Sequence, residues 1–516
     1  MTKFITATQA ADLIEDNMTV AFGGFAAYSC PDEIFQALAD RFKAKGHPKG
    51  LTATCTVSPG DADMNSNQGM NRFAELPGFL DTVIAGHFGN PPKLGKMIGE
   101  NKIAGYALPL GIMVHLYGAV AANRPAVISH VGLGTYADPR IEGCKSNQKT
   151  IDQNRDLVEL INVEGKELLA YKTFPIDACI IRGTYADEEG NISMEQEGMG
   201  DASFDQAAAA HNSGGIVIVQ VKEIVKSGSL NPKQVRIHKS LVDYVVKCSN
   251  PALYHPQSYA FDYRPEVSGE IKIPEDEIEV MPLNERKVIA RRSAMQLKPN
   301  SVINMGIGVP SGVANVANEE GFADQLCVSI EAGPFGGVSV EGVAFSGAIN
   351  PEALSNLSDV FNLYDGGFLD MTFLGAAQID RHGNVNVSKF GGRCTGPGGF
   401  INITQNTKKV HFLGTFTTIG LKEDIYDGKL HILQEGSEKK FVNEVEQITF
   451  SADYAKEHDQ EVMFITERAV FKLERDGLTL TETAPGVDLQ KDILDQMEFK
   501  PHISKNLKEM DPRIFK

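Results

Sequence analysis

Residues 176–193 read IDACIIRGTYADEEGNIS, and residues 369–386 read LDMTFLGAAQIDRHGNVN. The two stretches align without a gap at an offset of 193, matching Asp177 with Asp370, Asp187 with Asp380, and Gly190-Asn191 with Gly383-Asn384. Each follows the same local logic: an apolar run fit for a buried strand, a polar turn closed by Gly-Asn, then a second strand. A second pair lies nearer the start of each copy, where Thr19-Val20 with Phe22-Gly23-Gly24-Phe25 matches Ser301-Val302 with Met305-Gly306-Ile307-Gly308. That offset is about 282, so the first copy holds about 90 more residues between its landmarks. Two pairs in the same order point to an internal duplication.

Outward from these landmarks, short apolar runs alternate with helical periodicity. Residues 216–221 (IVIVQV), 326–330 and 410–413 (VHFL) read as buried strands, and 401–403 as a further one. Residues 10–14 and 31–42 read as amphipathic helices, the latter started by Pro31 with Asp32 and Glu33 in its first turn. This alternation predicts the α/β class: two homologous α/β domains with largely parallel sheets. Residues 268–282 (SGEIKIPEDEIEVMP) are acidic and Pro-punctuated, which predicts a surface linker and a division into residues 1–280 and 281–516. Residues 103–122 carry no formal charge but include Pro109 and His115, and they read as buried α/β core in place of a membrane span.

Composition narrows the function. The chain has 516 residues, 49 Lys and Arg against 67 Asp and Glu, and a net charge of −18. A chain this acidic is not built to grip nucleic acid or an anionic membrane, so a phosphate-bearing ligand must be held locally. Seven scattered cysteines without a C-x-x-C pair, and an N-terminus without an apolar signal core, predict reduced thiols and a cytoplasmic location. No P-loop, G-x-G-x-x-G or G-x-S-x-G string is present. The histidines show no metal-ligand spacing, so no metal is expected, and His87, His115, His130 and His211 read as structural or surface residues.

Three glycine clusters remain. Glu331-Ala332-Gly333-Pro334-Phe335-Gly336-Gly337 sets a carboxylate at a strand end, followed at once by glycines, so that a ligand can approach both side chain and backbone. Gly396-Pro397-Gly398-Gly399-Phe400 offers backbone N–H groups to an anion. Phe22-Gly23-Gly24-Phe25 sits between a strand and a helix, a common setting for an anion at a helix start.

With the Gly-Asn turns and the two-copy plan, the strings EAGPFGG and GPGGF resemble the class I coenzyme A-transferases, most nearly the propionate/acetate branch with fused halves. Supporting strings such as ALPLGIMVHL and GGFINITQNTKKVHFLGTFT spread the resemblance over nearly the whole chain. It implies transfer of CoA between short-chain acids, with Glu331 as the nucleophile and a glutamyl-CoA thioester as intermediate. The amides of Gly398 and Gly399 are then oxyanion donors, Gly333, Gly396 and Phe400 contact CoA, and Gly24 and Phe25 line the acid pocket. CoA is a substrate and transient adduct, with no separate cofactor, and a homodimer or homotetramer is expected. Pro334 and Pro397 stiffen both loops and leave the acyl-chain preference open. An acyl-CoA hydrolase on the same fold, and a non-catalytic acyl-CoA or small-acid sensor, are the alternatives.

Overall fold

Strands Ala178–Asp187 and Met371–Gly375, which carry the two duplicated segments, each lie at the centre of a large sheet. The computed structural model describes residues 2–274 and 280–516, so residues 275–279 of the expected linker lie outside the described residues. In the first sheet the main order is Lys3–Ile5, Tyr244–Lys247, Ile216–Val225, Ala178–Asp187, Thr19–Phe22, Leu51–Val57, Leu80–His87, Ala104–Ala107, all parallel, while Ile192–Ser193 adds antiparallel to Ala178–Asp187 and to Val235–Ile237. A parallel sheet is covered on both faces, which is why strands such as IVIVQV are apolar but for Gln220. In the second sheet the central run Glu461–Ile465, Lys409–Leu413, Met371–Gly375, Ser301–Met305, Leu326–Ser329 is parallel in the same order, but both flanks turn antiparallel.

Hydrogen bonds give the register of the duplication. Thr19 N donates to Asp177 Oδ2 at 2.7 Å, and Val302 N donates to Asp370 Oδ2 at 2.9 Å. Gly23 N reaches Ile180 O and Gly306 N reaches Phe373 O, both at 2.8 Å. Thr19 therefore matches Val302, and the offset read from Thr19 and Ser301 is corrected by one residue, to 283. The similarity of Thr to Ser misled the alignment, because the strand face, not residue type, sets the register.

Helix Asp32–Lys45 follows its charges: Asp32 and Glu33 in the first turn, Lys43 and Lys45 in the last, and a left-handed cap at Gly46 (φ 71°). Residues 103–122 form a strand, Ala104–Ala107, and a helix, Leu110–Ala121, whose apolar residues are buried on most sides. No helix among the described residues is long and apolar enough to cross a membrane. The strand expected at 401–403 is instead part of helix Phe400–Asn406. Ile401-Asn402-Ile403-Thr404 alternates apolar and polar residues as a strand does, but all residues from Phe400 to Gln405 are buried, so the alternation marks no solvent face. One core cluster is built by the first half with Cys394 and Ile401 of the second, whereas another joins Phe25, Val57, Leu110 and Val114 to Ile330, Phe361, Leu374 and Phe400 across the two halves.

Candidate active site

The two sheets meet at the carboxyl ends of their strands, the edge where open α/β sheets bind ligands. A cavity of about 220 Å³ lies there. The first half contributes Phe25, Val57, His87 and Asn90, each just past or at a strand end. The second contributes Met305, Gly306 and Ile307, then Ile330 and Glu331, then Leu374 and Gly375, and the loop Gly396 to Phe400. Phe345, Val387 and Ile403 complete an apolar wall. Among these lining residues no Lys or Arg appears, and Glu331 is the only one with a carboxylate.

Glu331 sits two residues beyond strand Leu326–Ser329, where Gly333 (φ 122°) turns the chain back and its N–H closes on Ile330 O at 3.0 Å. Burial pushes the Glu331 carboxyl up to about 7, against the opposing pull of the neighbouring Gly399 N–H. A Cβ added at Gly399 would collide with Glu331 Oε2, so glycine is required there by contact, at an ordinary φ. Gly398 is the reverse case: its φ is 56°, and its nearest neighbour in that direction is Glu331 Oε1 at 3.9 Å.

The first half holds this loop in place. Gly398 N donates to Gly86 O at 2.8 Å, Phe88 N to Thr395 O at 2.6 Å, and Leu110 N to Gly398 O at 3.0 Å. His87 Nδ1 lies 3.3 Å from Gly396 O, which as an acceptor fixes the proton on Nδ1. Burial pushes the His87 imidazole down to about 4, so it is neutral at pH 7. Asn402, next along the helix, accepts from Gly111 N at 3.1 Å and donates to Asp365 at 2.8 Å.

Of the residues singled out from sequence, Glu331, Gly396, Gly398, Gly399, Phe400 and Phe25 line one cavity. Gly333 and Gly24 do not. Gly333 packs against Gly200 and Ser355 O, and Gly24 (φ 102°) against Pro59 and Cys30, so both shape loops behind the wall. Gly398's N–H is engaged by Gly86, which leaves Gly399 as the amide aimed at the carboxylate. His87 and Asn90 lie on the wall, although nothing in HFGNPP distinguishes them locally. All seven cysteines are free.

Comparison with known proteins agrees with this arrangement over both halves. The family model for coenzyme A transferase matches residues 4–248 and 286–491. The caffeate CoA-transferase of Acetobacterium woodii is 46% identical over 520 residues, covering 100% of this chain and 98% of that protein. The acetate CoA-transferase YdiF of Escherichia coli K12 is 40% identical over 512 residues, covering 99% of this chain and 94% of that protein. A crystal structure of the acyl-CoA transferase YdiF from E. coli O157:H7, described as a thioester complex with CoA, superposes with a TM-score of 0.92 at 40% identity and covers 100% of this chain and 96% of that one. The chain belongs to the coenzyme A transferase family, enzymes that move CoA from an acyl-CoA to a carboxylate.

Proposed function

We propose that this protein transfers CoA between short-chain monocarboxylic acids such as acetate, propionate and butyrate, through a covalent CoA thioester on Glu331. The observation that carries this reading is the Glu331 carboxylate, enclosed between the strand ends of both halves with the Gly399 N–H on it. A Glu331 oxygen attacks the thioester carbonyl, the C–S bond breaks, and CoA leaves as thiolate from a mixed anhydride. The thiolate attacks the Glu331 Cδ carbonyl, releases the first acid and leaves glutamyl-CoA. The second acid runs the sequence in reverse. The Gly399 amide is positioned for an oxyanion on Glu331, and one such donor contributes ~10²–10³ in rate.

The lining explains the choice of acid. An incoming carboxylate has no cation to meet, but it enters beside a Glu331 already neutralised as thioester. A second charge on the acyl chain would be buried without a partner, which favours uncharged chains. The cavity of about 220 Å³ equals about seven waters at ~30 Å³ each, room for a short chain and the thiol end of CoA. The largely apolar lining also disfavours water, which would hydrolyse the anhydride and the thioester.

The reading further places Phe25 at the acid, Gly396 and Phe400 at CoA, and Gly24 and Gly333 behind them as loop formers. It includes a division of the halves at residue 280, a cytoplasmic homodimer or homotetramer, and CoA as substrate without a resident cofactor. The test is intact-protein mass after mixing with acetyl-CoA alone and rapid denaturation. One CoA adduct, mapped to Glu331 and lost on adding acetate, is the expected result. Free CoA accumulating without an adduct would make the protein a hydrolase, and unchanged acyl-CoA across a panel of chain lengths would make it a binding protein.

A further inference from the structure

The covalent route passes through two different oxyanions, and the glycine loop serves only one of them. When thiolate attacks Glu331, the charge develops on the glutamyl oxygen, where the Gly399 N–H already points. When Glu331 attacks the acyl-CoA, the charge develops on the oxygen of the substrate's own acyl carbon. The neighbouring loop amides are engaged elsewhere: Gly396 N with Ser388 O, Gly398 N with Gly86 O, and Phe400 N with Pro397 O. Each amide already has a protein acceptor, so none is free for that second oxygen.

Side-chain donors on the cavity wall are few. Asn304 Nδ2 donates to Ser329 O and to the Tyr364 hydroxyl, both at 3.2 Å, and its Oδ1 accepts from Thr372 at 3.1 Å. His87 Nδ1 is turned to Gly396 O. Asn90 differs. Its residue is only 6% exposed and lines the cavity, yet among the described residues its carboxamide has no hydrogen-bond partner. Neither carboxamide atom is sealed off from open space. Its main chain is anchored, since Asn90 O accepts from Ala62 N at 2.8 Å and Gly60 lets the Asn90–Pro91 peptide pack close. A carboxamide on an anchored main chain, facing the cavity with no protein partner, is placed to bond a ligand.

We infer that the Asn90 carboxamide donates a hydrogen bond to the acyl oxygen of the bound substrate, making it a catalytic residue supplied by the half opposite Glu331. This assignment rests on the covalent reading above. Each half then contributes one oxyanion donor, Asn90 for the acyl carbon and Gly399 for the glutamyl carbon. The donor is uncharged, so it accepts both the neutral thioester and the anionic acid that replaces it.

The experiment is single-turnover formation of the CoA adduct from saturating acetyl-CoA, read by mass, for wild type, Asn90→Leu and Asn90→Asp. Both variants keep the branched shape and heavy-atom count of the side chain and remove the N–H donor. Adduct formation is expected to slow about 10²-fold in each, with Tm held, because one donor is lost. A saturating rate within threefold of wild type in either variant, or a change confined to the KM for acetyl-CoA, overturns the assignment. If Leu or Asp prevents folding, Asn90→Ser and Asn90→Ala decide, since they differ by one hydroxyl. Ser is expected to be about tenfold faster than Ala, and equal rates overturn the role. Wild-type turnover without any adduct overturns the covalent reading itself, whereas a wild-type adduct formed equally fast by the variants removes Asn90 alone.

Discussion

The strand next to the centre of each sheet shows how far two copies of one plan can part. Ala53 pairs with Val20 in the first sheet as Val328 pairs with Ile303 in the second. Three residues on from these partners stand Thr56 and Glu331. Thr56 is inside strand Leu51–Val57 and buried, because that strand runs on to a further parallel neighbour, Leu80–His87. In the second half the strand stops at Ser329, and the chain turns over Gly333, leaving Glu331 at the cavity. The first half's longer intervening segment builds strands Leu80–His87 and Ala104–Ala107, and with them the wall bearing His87 and Asn90. One copy ends its strand early and exposes a carboxylate. The other inserts strands and holds the carboxylate's loop. The duplication thus supplies a frame, and chemistry resides where the copies differ.

The sharpest break of that comparison is at Glu331. Glu331→Ala should lower CoA transfer at least 10⁴-fold, since the covalent route is removed; turnover with acetyl-CoA and propionate is the measurement. Thr56→Ala, at the matching place, should stay within a few-fold. Comparable losses at both positions would mean that the first copy also takes part in the chemistry. Next in size is the pair of neighbouring glycines. Gly399→Ala has a permitted backbone but drives a methyl group into Glu331 Oε2, so a 10²-fold or greater loss of activity is expected with a nearly unchanged Tm. Gly398→Ala has open space but a φ of 56°, so it should cost about 1 kcal/mol of stability and less than tenfold in rate. Activity and Tm measured together distinguish contact from strain.

Stability against pH gives a smaller effect with a definite sign. The folded Glu331 carboxyl stands near 7 against 4.5 for a free one, because burial penalises its anion. A raised carboxyl favours the folded state while protonated, so its contribution is present below pH 4.5 and is lost as pH rises through 7. Glu331→Gln should therefore be more stable than wild type at pH 8, by about 3 kcal/mol, and nearly equal to it at pH 4.5. Thermal unfolding across that range is the check. An equal Tm at pH 8 would mean that the carboxylate is better solvated than its enclosure implies. In the same window the wild-type rate should fall as Glu331 gains its proton below pH 7.

Much of this was legible in the chain because its signals are local. Glu331 and the Gly396–Phe400 loop stand out since consecutive glycines beside a strand end have few structural uses. The Asp-Gly-Asn turns were legible for the same reason. Helix Phe400–Asn406 was misread because Ile401-Asn402-Ile403-Thr404 alternates like a strand, while burial of Asn402 and Thr404 hides the helical face. His87 and Asn90 gave no signal, since what brings them to Glu331 is the approach of two sheets. The resemblance assigned Gly24 to the acid pocket and Gly333 to CoA, yet a glycine beside a site serves as readily to let two backbones meet, as Gly333 does with Gly200.

The smallest predicted effect is a difference of nearly zero, and it tests the duplication itself. Asp187 Oδ1 accepts from Glu189 N and Asn191 N, both at 3.0 Å, and its Oδ2 from Asn191 Nδ2 at 2.8 Å. Asp380 repeats this with His382 N at 2.9 Å, Asn384 N at 3.0 Å and Asn384 Nδ2 at 3.0 Å. The asparagines are used alike too, Asn191 Oδ1 accepting from Lys239 N and Asn384 Oδ1 from Ala452 N. The turn glycines, Gly190 and Gly383, stand at φ 98° and 92°. Neither carboxylate faces the cavity, and both are buried to the same 3% exposure. Removing either should cost the same set of charge-assisted bonds, about 2–3 kcal/mol, with transfer activity kept at temperatures where the protein stays folded. Asp187→Ala and Asp380→Ala compared by calorimetry should agree within about 0.5 kcal/mol, the usual margin for independent sites. A markedly larger loss at Asp380 would show that the second half, whose large sheet has antiparallel flanks, leans more on this inherited turn than the first half does. The copies would then differ in stability as well as in chemistry.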